Sequence, residues 1–293
     1  MKFQLITVVG MLAVNLFSAE YSPVHAEVKK GNIYRQETFS IVQTAVVSNQ
    51  FNTCRLTLAL SKPGTWNLPE PYMKFLFDAG KFGFGSLVDF FTLKVNGIEM
   101  NKLSPRPESL TRWEEKELAG AELKLNYNGA KVVFRFFMRP DSPLLFASVF
   151  PAGDTLEPVR TAQAVFTAIP SSYILKNGQV VWRNGDYQRM AVTPVRTIRQ
   201  TAEPVPLTPA DTRLILMDAA LDGSSDEKGY GPCALFLDYR GIERAVLSIG
   251  NAWVSKVTLD FTPGWKEFRF AIWQPSARIS NADCIKRLSS EKF

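Results

Sequence analysis

Short runs in which apolar and polar residues alternate recur along almost the whole chain. TFSIVQTAVV (38–47), CRLTLAL (54–60), LVDFFTLKV (87–95), AELKLNY (121–127) and KVVFRFFM (131–138) are rich in β-branched and aromatic residues. Several place an apolar side chain at every second position, which in an extended chain sends them all to one face, so each run predicts a half-buried strand. PLLFASVF (143–150), AQAVFTAI (162–169), SYILKNGQVVW (172–182), RLILMDAAL (213–221), CALFLDY (233–239), RAVLSIG (244–250), KVTLDFT (256–262) and KEFRFAIW (266–273) continue the pattern.

Asn-Gly pairs punctuate the runs at Asn96-Gly97, Asn128-Gly129, Asn177-Gly178 and Asn184-Gly185. Both residues tolerate the positive φ of a type I′ turn, so each pair reads as a two-residue hairpin, and the sheets they join are antiparallel. Helix is scarce. SNADCIKRLSS (280–290) predicts a C-terminal helix, capped at Ser280 or Asn281 and anchored by Ile285 and Leu288. A short helical turn is expected around EPYMKFLF (70–77), with Pro69 and Pro71 limiting its length. TPVRTIRQTAEPVPLTP (193–209) carries four prolines and no clean alternation, and it reads as an extended crossover between two halves of one domain. The predicted architecture is an all-β, antiparallel two-sheet sandwich over residues 27–293.

The first 26 residues stand apart. Lys2 precedes an apolar run at 5–17, and Val24-His25-Ala26 places small residues where a signal peptidase cuts. That layout predicts a secretory signal peptide cleaved after Ala26; the run is too short for a comfortable membrane span. The mature chain is then expected to be secreted, periplasmic or held at the cell envelope, with no membrane span after cleavage. Cleavage removes the single histidine, His25, and takes Lys2 and Glu20 together, so the net charge remains +6. The charge is spread out, which points to solvated surface or a weak attraction to acidic polysaccharide, and an exported chain is not expected to meet nucleic acid. Cys54, Cys233 and Cys284 have no metal-ligand spacing. Buried free thiols and one bridge are both open, and Cys233 with Cys284 is the preferred pair if one forms. No cofactor or metal site is expected; GKFGFG (80–85) leads into a strand pattern, not a phosphate-binding turn.

Without histidine, nucleophilic triads and histidine acids are excluded, and any catalysis would rest on carboxylate, tyrosine, lysine or arginine. Asp89, Glu114, Glu115, Asp218 and Asp238 are the candidate inward acids; Asp218 and Asp238 end apolar strands, where a carboxylate either faces a cleft or accepts turn amides. Trp66 and Tyr72 in SKPGTWNLPEPY, Trp113 beside Arg112 and Glu114, and Tyr230 in SSDEKGYGPC are the candidate sugar platforms. Glu114 and Glu115 are adjacent, so a strand sends them to opposite faces and at most one enters a cleft; Glu114 beside Trp113 is the binding candidate. Trp253, Trp265 and Trp273 are expected in the core.

WEEKELAGAELKLNYNGAKVVFRFFMRPDSPLLF, followed by ILMDAALDGSSDEKGYGPCALF, resembles the galactose mutarotase-like β-supersandwich. That fold also occurs in aldose epimerases and in domains of polysaccharide lyases and glycoside hydrolases. The resemblance implies a sugar-handling surface on a large sheet. The family's epimerases use a glutamate base with histidine acids, and the expected mature chain lacks the histidines. The function expected from sequence is therefore an exported, non-catalytic carbohydrate-binding protein or accessory module. A lyase or hydrolase using carboxylate, tyrosine and arginine is the alternative, and a structural envelope protein the third.

Overall fold

The computed structural model describes residues 24–30, 39–61, 73–78, 91–100, 106–170, 173–176, 179–182, 188–220, 232–250, 254–275, 279–291 and 293. Strands β1 (His25–Lys30), β2 (Phe39–Ser48), β3 (Thr53–Ser61) and β4 (Met73–Asp78) open the chain. Next come β5 (Phe91–Val95), β6 (Ile98–Glu99), β7 (Arg106–Glu115), β8 (Leu118–Tyr127), β9 (Ala130–Met138), β10 (Leu145–Pro151) and β11 (Ala162–Ala168). β12 (Tyr173–Lys176) and β13 (Gln179–Trp182) form a separate ribbon. β14 (Arg189–Val192), β15 (Thr197–Arg199), β16 (Val205–Pro206) and β17 (Arg213–Asp218) follow. β18 (Cys233–Leu237), β19 (Ile242–Ser248), β20 (Ser255–Phe261), β21 (Phe268–Trp273) and helix α1 (Asn281–Ser289) complete the chain.

The fold is an all-β sandwich built on a nine-stranded antiparallel sheet, ordered β15-β14-β17-β18-β21-β10-β9-β8-β7. Its inner face meets a six-stranded sheet, β16-β19-β20-β11-β5-β6, and near β7 and β8 it meets the four-stranded sheet β1-β2-β3-β4. One continuous buried cluster joins all three: Val47 and Leu56 from the four-stranded sheet, Leu123 and Phe134 from the nine-stranded one, Phe166 and Leu259 from the six-stranded one. Phenylalanines fill the middle. The Phe270 ring lies 4.7 Å from Phe166, 5.4 Å from Phe268 and 5.5 Å from Phe91, centroid to centroid. Burying each such side chain contributes about 2–3 kcal/mol of transfer free energy. The buried Tyr127 hydroxyl donates to the Leu93 carbonyl at 3.2 Å, linking β8 to β5.

The outer face of the large sheet is covered only in part. RLILMD and CALFL are apolar on both faces because their outward residues, Ile215, Met217, Ala234 and Phe236, lie under α1, against Cys284 and Leu288. Ser280 caps the helix by accepting from the Asp283 amide at 3.0 Å, and Arg213 donates to the Leu288 carbonyl at 2.6 Å in its last turn. The helix thus forms where its cap and apolar stripe predict it.

Asn96-Gly97 joins β5 to β6 and Asn128-Gly129 joins β8 to β9, all four residues at positive φ. Asn177-Gly178 and Asn184-Gly185 lie outside the described residues. The helical turn expected at 70–77 is corrected: Met73–Asp78 is β4, paired with β3 from Leu60↔Met73 to Arg55↔Asp78. Met73, Phe75 and Phe77 occupy alternate positions, and pairing with β3 outweighs local turn propensity. The Cys233–Cys284 bridge is also corrected. All three cysteines are buried and none is in a disulfide, with Cys233 packed between the sheets and Cys284 on the inner side of α1, against the opposite face.

The proline-rich segment leaves β14, adds β15 to the large sheet, crosses to the six-stranded sheet as β16, and returns as β17. Its hinge is held by Asp211, whose side chain is fully buried. That carboxylate accepts from Arg196 Nη2 at 2.8 Å and Nε at 3.2 Å, and from the Thr208 amide at 2.9 Å and hydroxyl at 3.1 Å.

Candidate functional site

A groove of about 1090 Å³ runs over the part of the outer face that α1 leaves open. The register of the sheet assembles its floor from two rows, each running across the strands. Directly paired residues of antiparallel strands point to the same face. The first row is therefore Trp113 on β7, Gly120 on β8, Phe137 on β9, Phe146 on β10, Ala271 on β21 and Phe236 on β18. The second row is Thr111, Glu122, Arg135, Ser148 and Arg269 on β7, β8, β9, β10 and β21. Asp238 continues that second row, its amide donating to the Arg269 carbonyl at 3.1 Å.

The aromatic row is continuous. Trp113 lies 5.4 Å from Phe137, which stacks on Phe146 at 5.6 Å, and Phe293 from the tail stacks on Phe146 at 6.2 Å. Gly120 supplies the gap between Trp113 and Phe137; a Cβ there would fall 2.0 Å from the Phe136 carbonyl oxygen and 2.7 Å from the Phe137 Cβ. Two guanidinium groups lie on these rings, Arg135 at 4.5 Å from the Trp113 centroid and Arg139 at 4.0 Å from that of Phe146. The ring quadrupole attracts the cation at that distance.

The polar row is charged at its flanks and neutral at its centre. Arg135 donates Nε to Glu122 at 2.6 Å and Nη2 to the same oxygen at 2.5 Å. Arg269 Nη2 meets Glu267 at 2.6 Å. Asp238 is gripped by Arg240, with Nε–O distances of 2.9 and 3.0 Å and an amide contact of 3.1 Å. Arg240 beside it holds the Asp238 carboxyl below its usual range, against the opposing effect of burial. Burial pushes the Tyr239 hydroxyl upward, and the negative charge of Asp211 adds to the effect. Burial also raises Glu291, with Asp141 adding to the shift and Arg287 opposing it.

Four carboxylates line the groove, those of Glu115, Asp238, Glu267 and Glu291. Glycoside hydrolysis needs a protonated acid facing a base or nucleophile across the sugar. Here Asp238 and Glu267 are each tied to an arginine. A tyrosine acting as a base needs a lowered pKa, and Tyr239 moves the other way. Among the described residues, no group of three His, Cys, Asp or Glu side chains is placed to hold a metal ion.

The candidates from sequence separate cleanly. Trp113 and Asp238 line the groove, and so does Glu115. Arg112 and Glu114 pair with Ala121 and Ala119, on the other face of β7, where they form an ion pair with each other. Asp218 is buried and accepts from the Gln188 and Ala220 amides, both at 3.0 Å, so its carboxylate serves a turn. Trp66, Tyr72, Tyr230 and Asp89 lie outside the described residues, as does Trp253. Trp265 and Trp273 are buried. The groove residues that sequence reasoning passed over are Arg135, Arg139, Ser148 and Arg269. For Arg135 and Arg269 the signal was a lone arginine on the polar phase of an otherwise apolar strand, in VVFRFF and EFRFAI; Arg139 and Ser148 carried no such signal.

No protein-family model matches the chain, and no curated protein matches it. Among solved structures, it is similar to a crystal structure of the α-1,4-glucan lyase of Gracilariopsis lemaneiformis, in a covalent intermediate complex with 5-fluoro-idosyl-fluoride. Identity is 8% over 89% of this chain, at a TM-score of 0.18. The chain spans 29% of the lyase's length. A likeness that low supports no argument about fold or activity, and the site rests on its own geometry.

Proposed function

We propose that the chain is an exported carbohydrate-binding protein and that the groove over β7–β10, β21 and β18 is its binding surface. The observation that carries the reading is the pair of half-buried rings Trp113 and Phe137, backed by the buried Phe146 and set beside a row of hydrogen-bonding groups in one open groove. A saccharide offers apolar ring faces and a rim of hydroxyls, and it needs both kinds of partner side by side. Asp238 and Glu267, each tied to an arginine, and the raised Tyr239 support binding without turnover. The amino-terminal pattern of residues 1–26 supports export.

A glycan array, combined with assays for new reducing ends and for unsaturated products, tests the reading. The expected result is retention of a saccharide class with no product, weakened about tenfold by Trp113→Ala. Turnover that disappears in Glu115→Gln would make the chain an enzyme. Absence of any saccharide binding at millimolar concentration would remove the carbohydrate reading.

A further inference from the structure

The centre of the polar row has a composition that saccharide hydroxyls alone do not require. Ser148 is the smallest polar side chain of the row, and it sits directly between Arg135 and Arg269 on the neighbouring strands. Two strand spacings separate the two arginine backbones, about 10 Å. The intervening floor carries only a hydroxymethyl group, so the long side chains on either side overhang a notch. Arg139 reaches the same groove from the end of β9, over Phe146. Among the described residues its guanidinium has no ion-pair or hydrogen-bond partner. Arg135 engages Glu122 through Nε and Nη2, and Arg269 engages Glu267 through Nη2 alone. A guanidinium has five N–H donors, so each of the three keeps donors to offer.

The acids of the groove do not cancel this field at the notch. Asp238 is committed to Arg240 and Glu267 to Arg269. Glu115 stands at the far edge, at the end of β7. Glu291 lies in the tail beside Phe293, where its anionic form is disfavoured by burial. What faces the notch is a fork of planar cations on aromatic backing, the geometry suited to bidentate recognition of a planar or tetrahedral anion.

We infer that the groove selects an acidic saccharide, whose carboxylate or sulfate seats over Ser148 among Arg135, Arg139 and Arg269 while its ring lies along the Trp113–Phe137 row. This inference rests on the carbohydrate-binding reading and narrows it to an anionic ligand class. It makes Arg139 a specificity-determining residue, since of Arg135, Arg139 and Arg269 it is the one with no ion-pair partner among the described residues.

Calorimetric titration of the full chain tests it with three probes of matched length: an oligogalacturonate, its methyl ester, and a sulfated oligosaccharide free of uronic acid. The expected result is a preference of tenfold or more for an acid over the methyl ester, reflecting charged hydrogen bonds to arginine. Arg139→Met and Arg269→Gln should each reduce that preference, weakening binding of the acid more than that of the methyl ester; equal losses for both probes would assign the arginines to packing alone. Binding of the oligogalacturonate assigns a carboxylate, and binding of only the sulfated probe assigns a sulfate. Thermal melting of both variants within a few degrees of the parent separates lost recognition from lost folding. Equal affinity for acid and ester overturns the inference yet leaves the carbohydrate reading standing. Failure of all three probes in the parent chain overturns the inference, and the glycan array then decides the carbohydrate reading.

Discussion

Replacing Asp211 by alanine removes the clamp that holds the proline-rich segment against both sheets. The carboxylate accepts two contacts from Arg196 and two from Thr208 between 2.8 and 3.2 Å. A hydrogen bond to a charged group nets about 1.5–3 kcal/mol, and removing one partner of a buried ion pair costs about 3–5 kcal/mol. Thr208 is exposed and Arg196 partly so, and water satisfies them once the carboxylate is gone. That brings the expected loss to the low end, about 3 kcal/mol, which for a chain of this size lowers Tm by about 6 °C. The pH dependence supplies a second handle. Although burial opposes it, contacts from Arg196 and Thr208 hold the Asp211 pKa below its ordinary value of 3.8. A carboxyl depressed in the folded state lends stability that is complete above its unfolded value and is lost as pH falls through the folded one. The parent chain should therefore lose this increment as pH drops below about 4, whereas Asp211→Asn, lacking the titrating group, should not. Melting curves by circular dichroism at pH 7 and across the acid range measure both effects. A loss under about 0.5 kcal/mol, the size of an ordinary surface substitution, would refute the claim that this pair anchors the crossover. Since Pro209, Thr212 and Arg213 line the groove, the same variant should also weaken glycan binding.

Phe270→Ala empties the centre of the phenylalanine cluster, and urea unfolding should show a loss of about 4 kcal/mol; under about 1 kcal/mol would contradict the packing described. Gly120→Ala drives a Cβ into the Phe136 carbonyl, so the chain should lose cooperative unfolding in the β8–β9 region. Native chain at pH 8 should react slowly with a thiol reagent, because burial pushes Cys284 up to about 12 and Cys233 well above its ordinary value; all three thiols should react after denaturation. Two reactive thiols fewer would establish a bridge. Amino-terminal sequencing of exported chain should start at Glu27, giving up the register pairs His25↔Ser48 and Ala26↔Val47 while keeping those of Glu27 to Lys30.

Strand identity was legible wherever residues alternate against a single core, as in KVVFRFFM, where Val132, Phe134, Phe136 and Met138 are buried and Lys131 and Arg135 fall on the half-buried phase. Asn128-Gly129 announced its hairpin because only residues tolerant of positive φ fit that turn. β7 did not announce itself. RPESLTRWEE is an edge strand with a single buried residue, Leu110, and a polar edge leaves no hydrophobic period to read. The choice between Glu114 and Glu115 then went to the wrong side of the pleat, because β7's face is set by its register with β8. Met73–Asp78 was mistaken for helix for a related reason: six residues carry little local signal, and β3 decides. The two rows of the groove were legible only where the Asn128-Gly129 hairpin pairs Gly120 with Phe137 and Glu122 with Arg135. Arg269 joins Ser148 only through strand order, β21 lying beside β10 from more than a hundred residues along the chain.

The most direct test is a crystal structure of the chain with the tightest-binding acidic oligosaccharide from the titration. The groove account predicts a sugar lying across β9, β10 and β21, with its anionic group over Ser148 and within hydrogen-bond distance of at least two of Arg135, Arg139 and Arg269. A saccharide bound elsewhere, such as the smaller cavity walled by Pro204, Pro206 and Pro209, would contradict it.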